Sequence, residues 1–202
     1  MKFYIYIIIY LFGSLAIHAQ NKQDYNWLMG LDPTDSEEDL AYRFDFNQDP
    51  FLIESNNGIR FGNQNASVSD SEGNLLFYTS GCTIIDKTGQ QMPNGDSLNY
   101  DVWMDIFSAP DCAYGYTGSQ DILILQDPIS NEGYYIIHKT KTYENQQDSV
   151  ILAYSYVDMT LNNGLGDVVE KNQQFYERGN LMTSYLTAIQ HANKKDWWIY
   201  NL

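Results

Sequence analysis

Residues Val68 to Gly95 read VSDSEGNLLFYTSGCTIIDKTGQQMPNG. The apolar run Leu75 to Tyr78 sits between two polar segments that each set an aspartate three residues before a glycine, Asp70 with Gly73 and Asp86 with Gly89. An aspartate side chain bonds back to the turn backbone, and glycine takes positive φ without steric cost. Each polar segment therefore reads as a tight turn. The apolar run between them, short and partly aromatic, reads as a strand.

The same unit recurs along the chain. Apolar runs of four or five residues appear at Ile122 to Leu125, Tyr134 to Ile137, Val150 to Tyr154 and Trp197 to Tyr200. Turn signals lie between them: SNEGYY (Ser130 to Tyr135), LNNGLGD (Leu161 to Asp167) and HANKKDWW (His191 to Trp198). Helical periodicity is nearly absent beyond the first twenty residues. Runs that do not alternate with polar residues predict strands covered on both faces, an environment that stacked sheets provide. The expected fold is all-β, built of antiparallel meander strands as a partial β-propeller-like domain, with a β-sandwich as the alternative.

The first residues, MKFYIYIIIYLFGSLAIHAQ, have another character. Lys2 supplies a short positive start, Phe3 to Ile17 an uncharged apolar core, and Ala19 a small residue before a cut. That layout predicts a signal peptide over residues 1–19 and an exported domain over 20–202. The apolar run falls short of the roughly 20 residues of a spanning helix.

The net charge of −15 argues against binding to phosphate backbones or anionic lipid. The acidic run DPTDSEEDL (Asp32 to Leu40) reads as a solvated loop or helix start, with Ser36 and Asp39 at capping-box spacing. Cys82 and Cys112 are the only two cysteines. In an exported chain an even count favours a disulfide, here closing a segment of about 30 residues and contributing roughly 3–4 kcal/mol. Neither cysteine has a Lys, Arg or His beside it in sequence to favour a reactive thiolate.

Catalytic motifs are missing: there is no G-x-S-x-G, no H-E-x-x-H and no P-loop. His138 and His191 each flank an apolar run, without a second ligand at metal spacing. Asp45, Asn47 and Asp49 begin like an EF-hand. Pro50 then stands where glycine is needed, and Asn56 replaces the closing glutamate. No cofactor is expected, with calcium held by some other loop as the alternative. Asp70 and Gly73 are one residue too far apart for the Asp-box turn of sialidase propellers. Trp103, Tyr114, Tyr116 and Trp197 are candidates for stacking on sugar rings. Asn65-Ala66-Ser67 forms an N-glycosylation sequon.

Several stretches carry a resemblance. NASVSDSEGNLLFYTSGCTIID (Asn65 to Asp86), MPNGDSLN (Met92 to Asn99), GYYIIHKT (Gly133 to Thr140), YSYVDMTLNNGLGDVVEKN (Tyr154 to Asn172) and LTAIQHANKKDWWIY (Leu186 to Tyr200) occur in a familiar order. With NWLMG (Asn26 to Gly30) as a first strand, they resemble the N-terminal region of large secreted Bacteroidota proteins exported by the type IX system. The resemblance implies a propeller-like domain that is extracellular or at the outer-membrane surface, or periplasmic if no sorting domain follows, and no particular reaction. It also makes Ser97 and Ser149, each after Asp and before an apolar residue, candidates for the O-glycosylation that such bacteria carry out after export. The C-terminal sorting domain of such proteins is absent here, so the chain is expected to be part of something longer. The expected function is a non-catalytic module of an adhesin or scaffold. The alternative is an extracellular carbohydrate-binding module or carbohydrate-active enzyme, with extracellular glycans or surface proteins as partners.

Overall fold

The computed structural model describes residues 22–30, 41–55, 61, 64–99, 120–144, 147–176 and 185–201. The expected signal peptide over residues 1–19, the acidic run Asp32 to Leu40, Asn56, Trp103, Cys112, Tyr114 and Tyr116 lie outside the described residues.

The described chain is all-β and every pairing is antiparallel. Twelve strands form four meander sheets. The first sheet contains β1 (Asn26–Gly30), β2 (Ala41–Asp45) and β3 (Leu52–Ser55). The second contains β4 (Ala66–Ser69), β5 (Leu75–Thr79) and β6 (Ile84–Asp86). The third contains β7 (Ile122–Gln126), β8 (Gly133–Glu144), β9 (Gln147–Asp158) and β10 (Asp167–Tyr176). The fourth is the hairpin of β11 (Leu186–Gln190) and β12 (Trp197–Asn201).

The turns form for the reason expected from their residues. Asp70 Oδ1 accepts the N–H groups of Glu72 and Asn74 at 3.0 and 2.8 Å, and Gly73 adopts φ +92°. Asp86 Oδ1 repeats the arrangement, accepting from the Thr88 and Gln90 N–H groups at 2.7 and 3.3 Å. Asp158 and Asn193 close their own turns in the same way. Strand length departs from the expectation of short strands, because β8 and β9 each run twelve residues. Their ladder continues in unbroken register from Gly133↔Asp158 to Glu144↔Gln147. Backbone pairing thus outlasts the apolar run that marks the strand in sequence.

Three apolar cores hold the sheets together, one between each successive pair. Leu28 and Ala41 of the first sheet meet Leu75, Tyr78 and Ile85 of the second. Val68, Phe77 and Ile84 of the second meet Ile122, Tyr134, Ile136 and Val157 of the third. Leu125, Ile137 and Leu152 of the third meet Leu186, with Ala188 and Trp197 packed alongside. Neighbouring residues thus serve different cores: Phe77 and Tyr78 point to opposite sides of their sheet, as do Ile136 and Ile137. That is why these runs show no alternation. The sheets also touch in series through their first strands, β1 on β4, β4 on β7 and β7 on β11.

Candidate functional site

Among the buried polar side chains of the described residues, two groups contain titratable partners in contact. The first centres on His138 of β8, which is 0% exposed. Asn99 donates its amide Nδ2–H to the Gly81 carbonyl at 3.1 Å. That turns Asn99 Oδ1 toward His138 Nδ1, which donates to it. His138 Nε2 is then the acceptor, and Ser155 Oγ of β9 donates to it at 3.3 Å. Ser155 Oγ in turn accepts the Asn172 N–H at 3.0 Å. Asn172 reaches this position because β10 shifts register between Glu170 and Gln173, and a bulge re-aims the residue it releases. The Asn172 side chain also spans the loop, with Oδ1 accepting the Asn99 N–H at 3.2 Å and Nδ2 donating to the Ser97 carbonyl at 3.0 Å.

Ser155, His138 and Asn99 therefore stand in the order nucleophile, base and orienter, but their environment gives them no use in that role. Ser155 is 0% and Asn99 1% exposed, leaving no approach for a substrate. Burial lowers the His138 imidazole to about 3, far below the value near 7 that suits a general base. The group is a clasp, tying the loop between β6 and Asn99 to three strands of the third sheet.

The second place is a buried ion pair. Lys139 Nζ lies 3.4 Å from Asp121 Oδ1, and both side chains are almost wholly enclosed. Burial lowers the Lys139 pKa while Asp121 opposes the shift. The Asp121 N–H donates to Gln64 Oε1 at 3.1 Å, joining the approach to β7 to the approach to β4. Gln64 Nε2 is buried with no hydrogen-bond partner.

The exposed counterpart is an aromatic face on the first sheet. Register pairs Trp27 with Phe44, and Phe44 with Ile53, so these side chains share one face. Trp27 packs edge-on to Phe46 at 5.1 Å between centroids, and Phe46 lies 5.3 Å from Phe51. Trp27, Met29, Phe51 and Ile53 all remain about half exposed. The opposite face is tied down: Asn26 Nδ2 donates to Ser69 Oγ and the Gly73 carbonyl at 2.9 and 2.7 Å.

The other sequence candidates fall in separate places. Cys82 is buried, and its carbonyl accepts the Leu98 N–H at 2.8 Å. Ser97 is exposed beside Asp96, which bonds Lys171 at 3.2 Å. Ser149 lies on β9, in register with Thr142 of β8. Trp197, partly buried, packs against the third core and donates Nε1–H to the Gln126 carbonyl at 3.0 Å, which holds its ring against the third sheet. Of the EF-hand-like residues, Asp45 accepts the Asn47 N–H at 2.9 Å and pairs with Arg43 at 3.5 Å. Among the described residues no group of three or more His, Cys, Asp or Glu side chains is placed to hold a metal ion. No helix among them is long and apolar enough to cross a membrane.

The clasp was not visible in the sequence, because its members come from four separated segments. The weak signal for it was a histidine and a lysine adjoining an apolar run. No family model matches the chain, and no curated protein or solved structure is significantly similar to it.

Proposed function

We propose that the chain is a non-catalytic secreted or cell-surface module, the propeller-like part of a larger adhesin or scaffold protein. One observation carries the architectural half of this reading. Four meander sheets follow one another, each meets the next through its first strand, and a separate core fills each gap. Blades around an axis have that arrangement, with the first strand of each blade innermost. The export half rests on residues 1–19, and N-terminal mass spectrometry of the secreted protein tests it by reading whether the chain starts at Gln20.

The functional half rests on where the polar groups sit. The one nucleophile–base array among the described residues is sealed, whereas the aromatic side chains of the first sheet face solvent. A screen of the mature chain for polysaccharide hydrolysis, run beside a glycan array, tests the reading. Turnover of any polysaccharide overturns it.

A second reading is favoured by the aromatic face itself. Exposed aromatic rings suit stacking on the apolar faces of sugars. Glycan binding that is lost in Trp27→Ala and kept in Trp198→Ala would make the module a carbohydrate binder.

A further inference from the structure

We infer that Lys139 and Asp121 are the site of a spontaneous covalent modification, an amide bond between their side chains that ties the start of β7 to β8. Register sets the two residues against each other. Ile122 pairs with His138, so Asp121, one residue before β7, stands opposite Lys139. The Lys139 N–H donates to the Asp121 carbonyl at 2.9 Å. Residues directly opposite on an antiparallel pair share a face, and here the side chains meet, with Nζ 3.4 Å from Oδ1. Reacting groups held this close gain an effective molarity of about 10⁵ M or more over free amine and acid.

The surroundings favour the neutral partners that such a step needs. Two residues along each strand, Leu123 and Ile137 lie on the same face as the pair, and Leu152 of β9 stands opposite Lys139. All three belong to the third core or pack against it. The side chains of Lys139 and Asp121 are only 1% and 2% exposed. Burial among apolar groups penalises the charged forms and lowers the Lys139 pKa, although Asp121 opposes the shift. An ion pair this enclosed recovers little of what each charge loses on leaving water, and amide formation removes both charges. Gln64 supplies a third group. Its Oε1 accepts the Asp121 N–H at 3.1 Å, and its Nε2 is buried with no hydrogen-bond partner. The Gln64 amide thus lies against Asp121 with N–H donors to spare for a carboxyl oxygen on which negative charge builds.

The step balances without a co-reactant. Transfer of one proton within the pair turns ammonium and carboxylate into amine and carboxylic acid. The Nζ lone pair then attacks Asp121 Cγ, so that the Nζ–Cγ bond forms and the bond from Cγ to its hydroxyl breaks. The hydroxyl leaves with one proton from Nζ as water. Nothing is oxidised or reduced, and the product is a neutral secondary amide. The cross-link sits where the third sheet meets its neighbours, since Gln64 leads into β4 and the Gln120 carbonyl accepts the Leu186 N–H at 3.0 Å.

Intact mass of the folded chain, reduced so that the cysteines do not contribute, tests this beside Lys139→Met. The wild type should be lighter by one water than its sequence requires, and Lys139→Met should carry its full mass. A wild-type chain still at full mass after several days in the folded state overturns the inference. So does a deficit that persists in Lys139→Met. Peptide mapping of the wild type gives an independent reading if the variant misfolds. Trypsin cuts after a free lysine and not after an acylated one, so cleavage should pass over Lys139. The digest should then contain the peptide from Thr88 to Lys141, one water short. A peptide from Thr88 that ends at Lys139 with its full mass overturns the bond.

Discussion

At Asp86 a single carboxylate oxygen closes a turn, accepting from two backbone N–H groups and from the Thr88 hydroxyl. The carboxylate is itself buried, although Thr88 and Gln90 are exposed, and its removal takes away three charge-assisted hydrogen bonds at once. Asp86→Ala should cost about 2–3 kcal/mol of unfolding free energy in urea, while the more exposed Asp70→Ala should cost about 1 kcal/mol. Equal effects would mean that burial contributes nothing to these turns. His138 sets a pH dependence. Its folded value of about 3 lies below the ordinary 6.5, so between those limits the unfolded chain binds a proton that the folded chain refuses. The stability contributed by the neutral imidazole is complete above pH 6.5 and is lost as pH falls toward 3. From pH 7 to pH 4 this one group should remove roughly 3 kcal/mol. Urea midpoints for His138→Gln across the same range should fall less steeply than those of the wild type. Parallel curves would show that the imidazole is solvated in the folded chain.

At the scale of the element, the β8–β9 ladder depends on a glycine at its start. A Cβ placed on Gly133 would stand 2.0 Å from Tyr156 Oη and 3.1 Å from Asp127 Cβ. The Tyr156 hydroxyl donates to Asp127 Oδ2 at 2.8 Å, tying β9 to the loop after β7. Gly133→Ala must displace the tyrosine and break that bond, and should cost about 2–3 kcal/mol by thermal or urea unfolding. Gly89→Ala is a useful contrast, because nothing lies within 4 Å of its Cβ position and only its φ of +81° resists. That penalty should be about 1 kcal/mol.

For the whole molecule, three cores in series mean that no sheet is stable without its neighbours, and the connections between sheets matter as much as the strands. The proposed Cys82–Cys112 bridge would act at this level, pinning the connection between the second and third sheets. Intact mass after alkylation should show no modified cysteine in the unreduced, unfolded chain and two after reduction. Two alkylated thiols before reduction would rule the bridge out. If it forms, reduction should lower stability by about 3–4 kcal/mol.

Much of this fold was legible residue by residue. Asp70 with Gly73, and Asp86 with Gly89, mark their turns because the carboxylate and the positive φ act within five residues. Leu75 to Tyr78 and Tyr134 to Ile137 mark strands covered on both faces because each contains residues for two cores. Local chemistry was enough to predict an all-β chain of hairpins. Tertiary structure decided where polar groups meet. Asn99, His138, Ser155 and Asn172 are far apart in sequence, and only the bulge in β10 and the fold of the loop after β6 bring them into one clasp. The exposure of Trp198 and the partial burial of Trp197 were equally hidden, since adjacent residues of one apolar run look alike until a second sheet packs against one of them. Burial is a property of what packs against a residue, and that partner comes from elsewhere in the chain.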